Sequence, residues 1–409
     1  VQTFNASSGL RKLLAPGMQV EASSVTQRSF NNFVFQPINP VWFSQFIVQF
    51  RQPLLRGFGI DFNRSQIRVS DINRRRATQT FRRDVRDTLR ETEEAYWRLV
   101  QARRSVVISA RLLASFEQIY SYLDARRDFD VYRIQLADTR ARLERTRAQF
   151  IELVASVRNA EDQLIALMND PEINLTDSTE IIPIVSPHFA RVILDRVAEV
   201  QTALEHRSEL VEAKLAIDAA RVQVGVAKNQ ALPQLDVVFR QSVDGIGTSH
   251  ERAFSEVSKN DFVEYFVGID FELPIGNRAR RAALRRSKIE YAQAIAALKQ
   301  AFEQVILDVN VSVRRVEVRY DQIDPALASV EASEDQVASI QARAEKKDFL
   351  TLNNELNTEQ ALAQARRDLL GAVVDYGIAI IDLERAKGTL LQYNNVELAI
   401  EDGSGDPAS

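Results

Sequence analysis

The chain of 409 residues contains no cysteine, and the two strongest helix breakers are missing over long stretches. The absence of cysteine excludes a disulfide framework, a thiol nucleophile and a cysteine-based zinc site. No glycine occurs from Ile60 to Val224, and no proline occurs from Leu54 to Asp170. Because glycine and proline are the residues that most disfavour helix interiors, these gaps predict helices of unusual length.

Long apolar runs and catalytic motifs are also absent. No stretch of about 20 uncharged apolar residues occurs, so no transmembrane helix is expected. The histidines lack ligand spacing (His188, His206, His250), and no phosphate-binding glycine loop or nucleophile motif is present. We therefore expect neither an enzyme nor a cofactor or metal site. The chain starts at Val1 without a methionine or a signal-peptide pattern, which we interpret as a processed or trimmed chain whose targeting segment is not shown.

Residues 51–150 are rich in arginine and contain no lysine. A nucleic-acid surface would need an undiluted basic stripe. Here carboxylates such as Asp84, Asp87 and Glu91 are interleaved with the arginines, which favours a solvated helix face. We expect no nucleic-acid partner.

The most informative motif occurs twice, about 220 residues apart. The segments "FIVQFRQPLLRGFG" and "FVGIDFELPIGNRARR" each end an alternating run at a proline, Pro53 or Pro274. Glycine follows (Gly57 and Gly59 in the first copy, Gly276 in the second), and then a long helical pattern. Proline lacks a ladder donor, so both sites are interpreted as strand-to-helix junctions. A repeat of this period predicts a duplicated unit of the kind found in rings and tubes.

Four segments alternate apolar and polar residues with period two: 18–27, 44–52, 235–241 and 263–272. This period predicts strands with one apolar face, and their lengths suit tilted strands that cross a bilayer. They form two hairpins whose loops, about 29–41 and 244–260, are polar. The apolar face is expected to contact lipid or the interface through Phe46, Phe50, Phe239, Tyr265 and Phe271. A soluble sandwich core is the alternative.

The remaining sequence predicts two pairs of long helices. Heptad spacing from Tyr291 to Val309, and again from Leu362 to Leu383, is typical of a seam that faces a partner helix. Each pair should turn at a charged stretch, Asp124–Asp130 in the first and Glu345–Leu350 in the second. These turns carry Arg127, Asp128, Lys347 and Asp348, either as a docking site or as ordinary solubilising residues.

Four strands cannot close a barrel alone, because their edges would leave backbone groups unpaired in lipid. Three copies would supply twelve strands. The unit is therefore expected to oligomerise.

These segments resemble the TolC-like outer-membrane efflux family. The similar segments are "QPLLRGFG", "ALEHRSELVEAKLAIDAARVQVGVAKNQALPQLDV" and "EQALAQARRDLLGAVVDYGIAIIDLERAKGTL", within a match from about Gly9 to Leu390. The resemblance implies an α+β membrane protein: a trimeric 12-strand β-barrel, four strands per chain, continuous with an antiparallel coiled-coil helical barrel. It also implies outer-membrane localisation, most of the mass in the periplasm, and partners in a periplasmic adaptor and an inner-membrane transporter.

The resemblance further implies a pore-narrowing position near the turn of the second helix pair. Alignment back from Gly388 places Asn354 and Asn357 where many family members have acids, and Thr351 lies one turn earlier. Neutral amides there argue against a strongly cation-selective gate. An ordinary helix surface is the equally weighted alternative.

The predicted organisation has eight parts. They are a remnant of an N-terminal segment (1–16), a first barrel hairpin (17–53), a first long helix pair (54–170), an equatorial linker (171–195), a helix leading into the barrel (196–232), a second barrel hairpin (233–274), a second long helix pair (275–390) and a tail (391–409). The predicted function is the exit duct of a tripartite efflux pump or type I secretion system. The alternative is a soluble coiled-coil scaffold or adaptor of the periplasm.

Overall fold

The computed structural model describes residues 2–32, 37–129, 131–173, 180–185, 190–342 and 349–399. The chain divides into two compact units. Val1–Thr78 with Val211–Lys299 form the strand unit, and Gln79–Leu210 with Gln300–Ser409 form the helix unit.

The strand unit contains one antiparallel sheet in the order β1-β2-β3-β4-β5. Each strand pairs with the next along the chain, so the sheet is a meander. Its strands are β1 (Gln2–Leu13), β2 (Gln19–Phe30), β3 (Val41–Pro53), β4 (Gln234–Gly247) and β5 (Val263–Glu272).

The fifth strand, β1, lies in residues 1–16, which were expected to be a remnant of an N-terminal segment, and it adds to the four strands expected per chain. It pairs with β2 over twelve residues, from Gln2 opposite Phe30 to Leu13 opposite Gln19. Few residues indicate this strand, because small polar side chains occur on both of its faces and weaken the period-two pattern. Backbone pairing with β2 forms it instead.

A helix also lies within the segment 244–260 that was expected to be a loop. Helix α6 spans His250–Lys259; the Ser249 hydroxyl caps its start, and Asn260 ends it in the left-handed conformation. The helix packs against β3 and β4. Gly245 and Gly247 allow this approach, since a Cβ at Gly247 would lie 2.7 Å from the backbone nitrogen of Ala253.

Helices, most of them long, form most of the rest of the described chain. Their bounds are α1 (Ile60–Asn63), α2 (Ser65–Ala125), α3 (Arg133–Met168), α4 (Arg196–His206), α5 (Ser208–Gln230), α7 (Arg278–Asp321), α8 (Ile323–Ala342), α9 (Phe349–Lys387) and α10 (Leu390–Tyr393). The 61 residues of α2 agree with the absence of glycine and proline there. No helix in the described ranges combines the length and apolar composition that crossing a bilayer would require.

The core of the helix unit follows the heptad positions of α7 and α9. Val305, Val309 and Val313 of α7 pack in one cluster with Tyr376 and Leu383 of α9. Burying each such side chain contributes about 1.5–3 kcal/mol. Tyr376 also places its hydroxyl in the core, where it donates to the carbonyl oxygen of Ala190 at 2.9 Å. The second predicted seam and the part of the first from Phe302 onward therefore lie in this core, whereas the start of the first seam belongs to the strand unit, where Ile295 is 46% exposed.

Candidate functional site

The two faces of the sheet differ in chemistry. Residues directly opposite each other in antiparallel strands share a face. One cross-strand row contains Val20, Phe50, Phe239 and Val267. Phe50 and Phe239 also contact each other, with ring centroids 6.0 Å apart. The five residues predicted to be lipid-facing all lie on this apolar face: Phe46, Phe50, Phe239, Tyr265 and Phe271.

Much of the apolar face is uncovered. Tyr265 is 65% exposed and Phe271 is 62% exposed, and both lie on the last strand, β5. At the end of the sheet farthest from the junctions, α6 covers part of the same face, where Val257 and Phe46 line one cavity. Phe46 thus lies beside a helix, which sequence reasoning did not anticipate.

The opposite face is more polar, although it includes Ile47, Val238 and Phe266, and it carries an ion-paired row near the strand-to-helix junctions. The Arg51 guanidinium lies 2.5 Å from Asp270 and 3.6 Å from Asp236. Farther along the same face, the Gln45 amide donates to Asp244 at 2.7 Å. On β2–β5 this face has two arginines, Arg51 and Arg240, and six carboxylates: Glu21, Asp236, Asp244, Glu264, Asp270 and Glu272. Sequence reasoning missed this acidic excess, although the alternating phase of these residues could have revealed it.

The predicted junction residues lie where strands meet helices. Pro53 is the last residue of β3, and Pro274 follows the end of β5 at Glu272. Gly57, Gly59 and Gly276 have φ values of 88°, 108° and 78°, a region that favours glycine.

Asparagine side chains form hydrogen bonds with backbone groups at the strand-to-helix junctions, and these bonds were not predicted from the sequence. The Asn63 amide donates to the carbonyl oxygens of both Gly57 and Gly59 at 2.9 Å. Asn229 accepts from the Gly57 backbone N–H at 2.7 Å. Asn277 donates to the carbonyl oxygen of Ala231 at 2.9 Å. Asparagine shortly after the glycines in both repeat copies ("GFGIDFN" and "IGN") was the available signal.

The first helix pair turns at the predicted stretch, between the end of α2 at Ala125 and the start of α3 at Arg133. Arg127 and Asp128 are exposed there; the Arg127 guanidinium lies 3.8 Å from Asp124 and 3.7 Å from Asp128. Exposed pairs of this kind contribute about 0–1 kcal/mol, so the turn is not held by them. Lys347 and Asp348 lie outside the described residues.

The predicted gate residues lie in the first turns of α9. Leu352 and Leu356 are buried in a cluster with side chains of α2 and α3, which leaves Asn354 and Asn357 exposed and Thr351 partly buried. The Asn357 side-chain oxygen accepts from Arg142 of α3 at 2.7 Å. Arg142 also pairs with Asp138 at 3.1 Å. The structure therefore links one predicted gate residue to the neighbouring helix through an arginine that sequence reasoning missed.

A charged cavity of about 520 Å³ lies within the helix unit. Ion pairs line it: Arg207 with Asp308 at 2.9 Å, Arg385 with Asp87 at 2.7 Å, and both Arg90 and Arg315 with Asp382 at 2.8 and 2.9 Å. Burial lowers the pKa of the adjacent Arg86, and the Glu209 carboxylate opposes that shift. These mutually paired charges are the arrangement expected of a structural network. Over the described residues, no group of three or more His, Cys, Asp and Glu residues could hold a metal ion.

The sequence is similar to that of outer-membrane channels. Residues 200–389 match the family described as outer membrane efflux protein. The outer membrane protein TolC of Vibrio cholerae is 21% identical over 338 residues, which are 75% of this chain and 74% of that protein. The outer membrane protein TolC of Escherichia coli is 22% identical over 351 residues, 81% of this chain and 66% of that protein.

Solved structures with low sequence identity show the same fold. The Neisseria gonorrhoeae MtrE outer membrane channel in its open state has a TM-score of 0.70 at 17% identity, and the match covers 92% of this chain and 81% of that one. VceC of Vibrio cholerae has a TM-score of 0.69 at 17% identity, over 95% and 86% of the two chains. The Campylobacter jejuni CmeC outer membrane channel has a TM-score of 0.69 at 17% identity, over 95% and 78%.

The fold and the sequence match define the class: this chain is similar to the TolC-like outer-membrane efflux proteins, and the resemblance predicted from its sequence is confirmed. The TolC proteins of two bacteria are the named relatives. The expected outer-membrane localisation agrees with their names.

Proposed function

We propose that three copies of this chain form a passive outer-membrane channel, the exit duct of a tripartite efflux pump or a type I secretion system. Strands of each copy contribute to a 12-strand barrel, and the helices form a tunnel in the periplasm. The observation that carries the proposal is the two-faced sheet. An uncovered apolar face opposite a charged one suits a wall with lipid on one side and water on the other.

The first experiment measures assembly and conduction by the full chain. In detergent, size-exclusion chromatography with light scattering should report three chains per particle, and planar bilayers that contain these particles should show steady unitary currents. A particle that is monomeric without detergent and conducts no ions would contradict the proposal. That result would favour the soluble scaffold instead.

The helix turns are the proposed contact for the adaptor. Arg127 and Asp128 are exposed in the first turn. Lys347 and Asp348 belong to the second turn by sequence, and we include them in the same surface. This surface should not affect conduction by the isolated trimer.

The acidic excess on the polar face predicts that the barrel prefers cations. Replacing both Asp270 and Glu272, as D270N/E272Q, should move the reversal potential in a KCl gradient toward zero, because these exposed carboxylates raise the local cation concentration. D335N removes an exposed carboxylate from α8 and serves as the control. Equal reversal potentials for the double variant and the wild type would show that this face does not set the selectivity.

The gate proposal predicts a graded effect of added charge at the tip. Asn354→Asp should increase the preference for cations, since three new carboxylates would surround the pore. Asn357→Asp should have a smaller effect, because Arg142 lies 2.7 Å from its side chain and would neutralise part of the charge. Gln118→Glu adds the same charge to an exposed position of α2 and is the control. If neither variant changes the reversal potential, these residues do not line the narrow part of the pore.

A further inference from the structure

The edges of the sheet bear on how copies can meet. β2 pairs with β1 on one side and with β3 on the other, and among the described strands β5 pairs with β4 alone. A second copy can therefore add a strand beside the outer edge of β5. At the opposite edge of the sheet, it can add a strand beside β1 or, if β1 leaves the sheet, beside β2. An edge that stays unpaired within lipid leaves its backbone groups without partners, which is costly.

Strand direction separates the two possibilities. All four pairings are antiparallel, so β1 and β5 run in the same direction, and β2 runs opposite to β5. If β1 stays in a ring of copies, β5 of one copy meets β1 of the next in parallel. If β1 leaves the sheet, β5 of one copy is antiparallel to β2 of the next copy, and all neighbouring strands in the ring are then antiparallel. Bacterial outer-membrane barrels of a single chain are antiparallel with an even number of strands, and only the second arrangement fits that pattern for three copies.

The side chains hold β1 only weakly. Every residue of β1 is exposed, including Leu10 at 83%. Its side chains pair with β2 through Arg11 and Glu21, 2.8 Å apart and both exposed, a kind of pair that contributes about 0–1 kcal/mol. The remaining bonds are backbone ladder bonds, which another strand can replace one for one.

Strand β5 is the better partner for β2. On the apolar face, β5 presents Tyr265, Val267, Ile269 and Phe271, which are 62–72% exposed. The same face of β1 has two large apolar side chains, Phe4 and Leu10, beside Ala6, Ser8 and Lys12. Next to Val20 and Ala22 of β2, β5 would bury more apolar surface, which favours the exchange.

We propose that β1 is a displaceable edge strand, which covers β2 in the single chain and gives up that edge to β5 of a second copy during assembly. This inference rests on the proposed channel function. It assigns the edge of β2 as an interaction surface and β5 of an identical chain as its partner. Displacement removes the two free edges that each copy otherwise has.

This chain contains no cysteine, so introduced cysteines allow a direct test in it. Ser8 and Ser24 are directly opposite each other, so S8C/S24C should form a disulfide that holds β1 on β2. Thr26 and Ser44 are directly opposite each other on β2 and β3, a pairing that assembly keeps, so T26C/S44C is the matched control. Each variant is oxidised before assembly and then reduced.

Oxidised S8C/S24C should yield roughly tenfold fewer trimers and conducting channels than its reduced form, because the unpaired edge is costly in lipid. Oxidised T26C/S44C should assemble like the wild type. Normal assembly and conduction by oxidised S8C/S24C would overturn the inference. If the wild type itself forms no trimer and no channel, the proposed function fails, and the two failures are thereby distinguished.

A second measurement follows the partner strand. Ala22→Cys on β2, combined in turn with a cysteine at Tyr265, Val267 or Ile269 on β5, should give disulfide-linked chains for at least one combination after oxidation of assembled protein. In a single chain, β3 and β4 separate these strands, so such a product forms only between copies. If the links to β5 form instead from Leu10→Cys on β1, then β1 remains in the assembly and the inference is wrong.

Discussion

Gly17→Ala is expected to destabilise the strand unit by about 3 kcal/mol or more, from backbone strain together with overpacking. Gly17 has a φ of 100°, and an added Cβ would lie 2.5 Å from the carbonyl oxygen of Gly57 and 2.8 Å from the Asn63 side-chain nitrogen. That nitrogen donates to the carbonyl oxygens of Gly57 and Gly59. One methyl group would therefore displace the turn before β2, the segment after β3 and the asparagine that connects to it.

Substitutions at two other glycines distinguish the free-energy cost of backbone strain from that of overpacking. Gly59 has a φ of 108° with nothing within 4 Å of an added Cβ, so Gly59→Ala should cost only the strain, about 1–3 kcal/mol. Gly225 lies within α5 with open space around it, so Gly225→Ala should stabilise the chain by up to about 1 kcal/mol. Urea unfolding followed by circular dichroism ranks the three variants. Equal losses for Gly17→Ala and Gly59→Ala would show that the junction is not closely packed.

The junctions illustrate what the sequence could predict. Proline followed by glycine, twice, indicated both transitions from strand to helix, because proline lacks a donor for strand pairing and glycine permits the positive φ values of the following turn. The asparagine bonds depend instead on which segments meet in space. Asn229 is 172 residues from Gly57 along the chain, yet its side-chain oxygen lies 2.7 Å from the Gly57 backbone nitrogen. No local pattern reports that contact.

The strands show the same division. The alternating run 263–272 coincides with β5, whose apolar and polar residues differ strongly. Strand β1 was not predicted because apolar and polar residues alternate only weakly along it. Helix α6 was not predicted because a polar ten-residue stretch is typical of a loop. What reveals α6 is the pair Gly245 and Gly247, which lack a Cβ where the helix packs on the sheet. Glycine within a strand signals such close approach, but does not identify the neighbour.

The candidate gate residues were predicted from the family resemblance and not from the chemical character of their side chains. Exposed amides on a helix resemble any solvated surface, so Asn354 and Asn357 could not be distinguished by residue type. The contact between Asn357 and Arg142 required the packing of α9 beside α3, which their buried leucines determine. The lining of a pore by these residues stays a prediction.

Phe239→Lys is expected to cost about 2–4 kcal/mol, the range for a cationic side chain on the lipid face near the middle of the bilayer. Phe239 lies within β4, in the row with Val20, Phe50 and Val267, and its loss also removes a ring contact with Phe50. Phe266→Lys is the matched control. It places the same charge on the polar face, where Arg240 now lies over the Phe266 ring and acidic residues are close. This control should lose about 1 kcal/mol or less.

A third variant tests the lipid directly, because the cost of a charge on a lipid face falls to about 0–1 kcal/mol near the interface. Phe271 lies on the same face at the junction end of β5, opposite Leu235. Phe271→Lys should therefore cost less than Phe239→Lys when unfolding is measured in lipid vesicles, and thinner bilayers should reduce the difference. A protein core has no such dependence on bilayer thickness. Equal costs in vesicles of every thickness would mean that protein, and not lipid, covers this face.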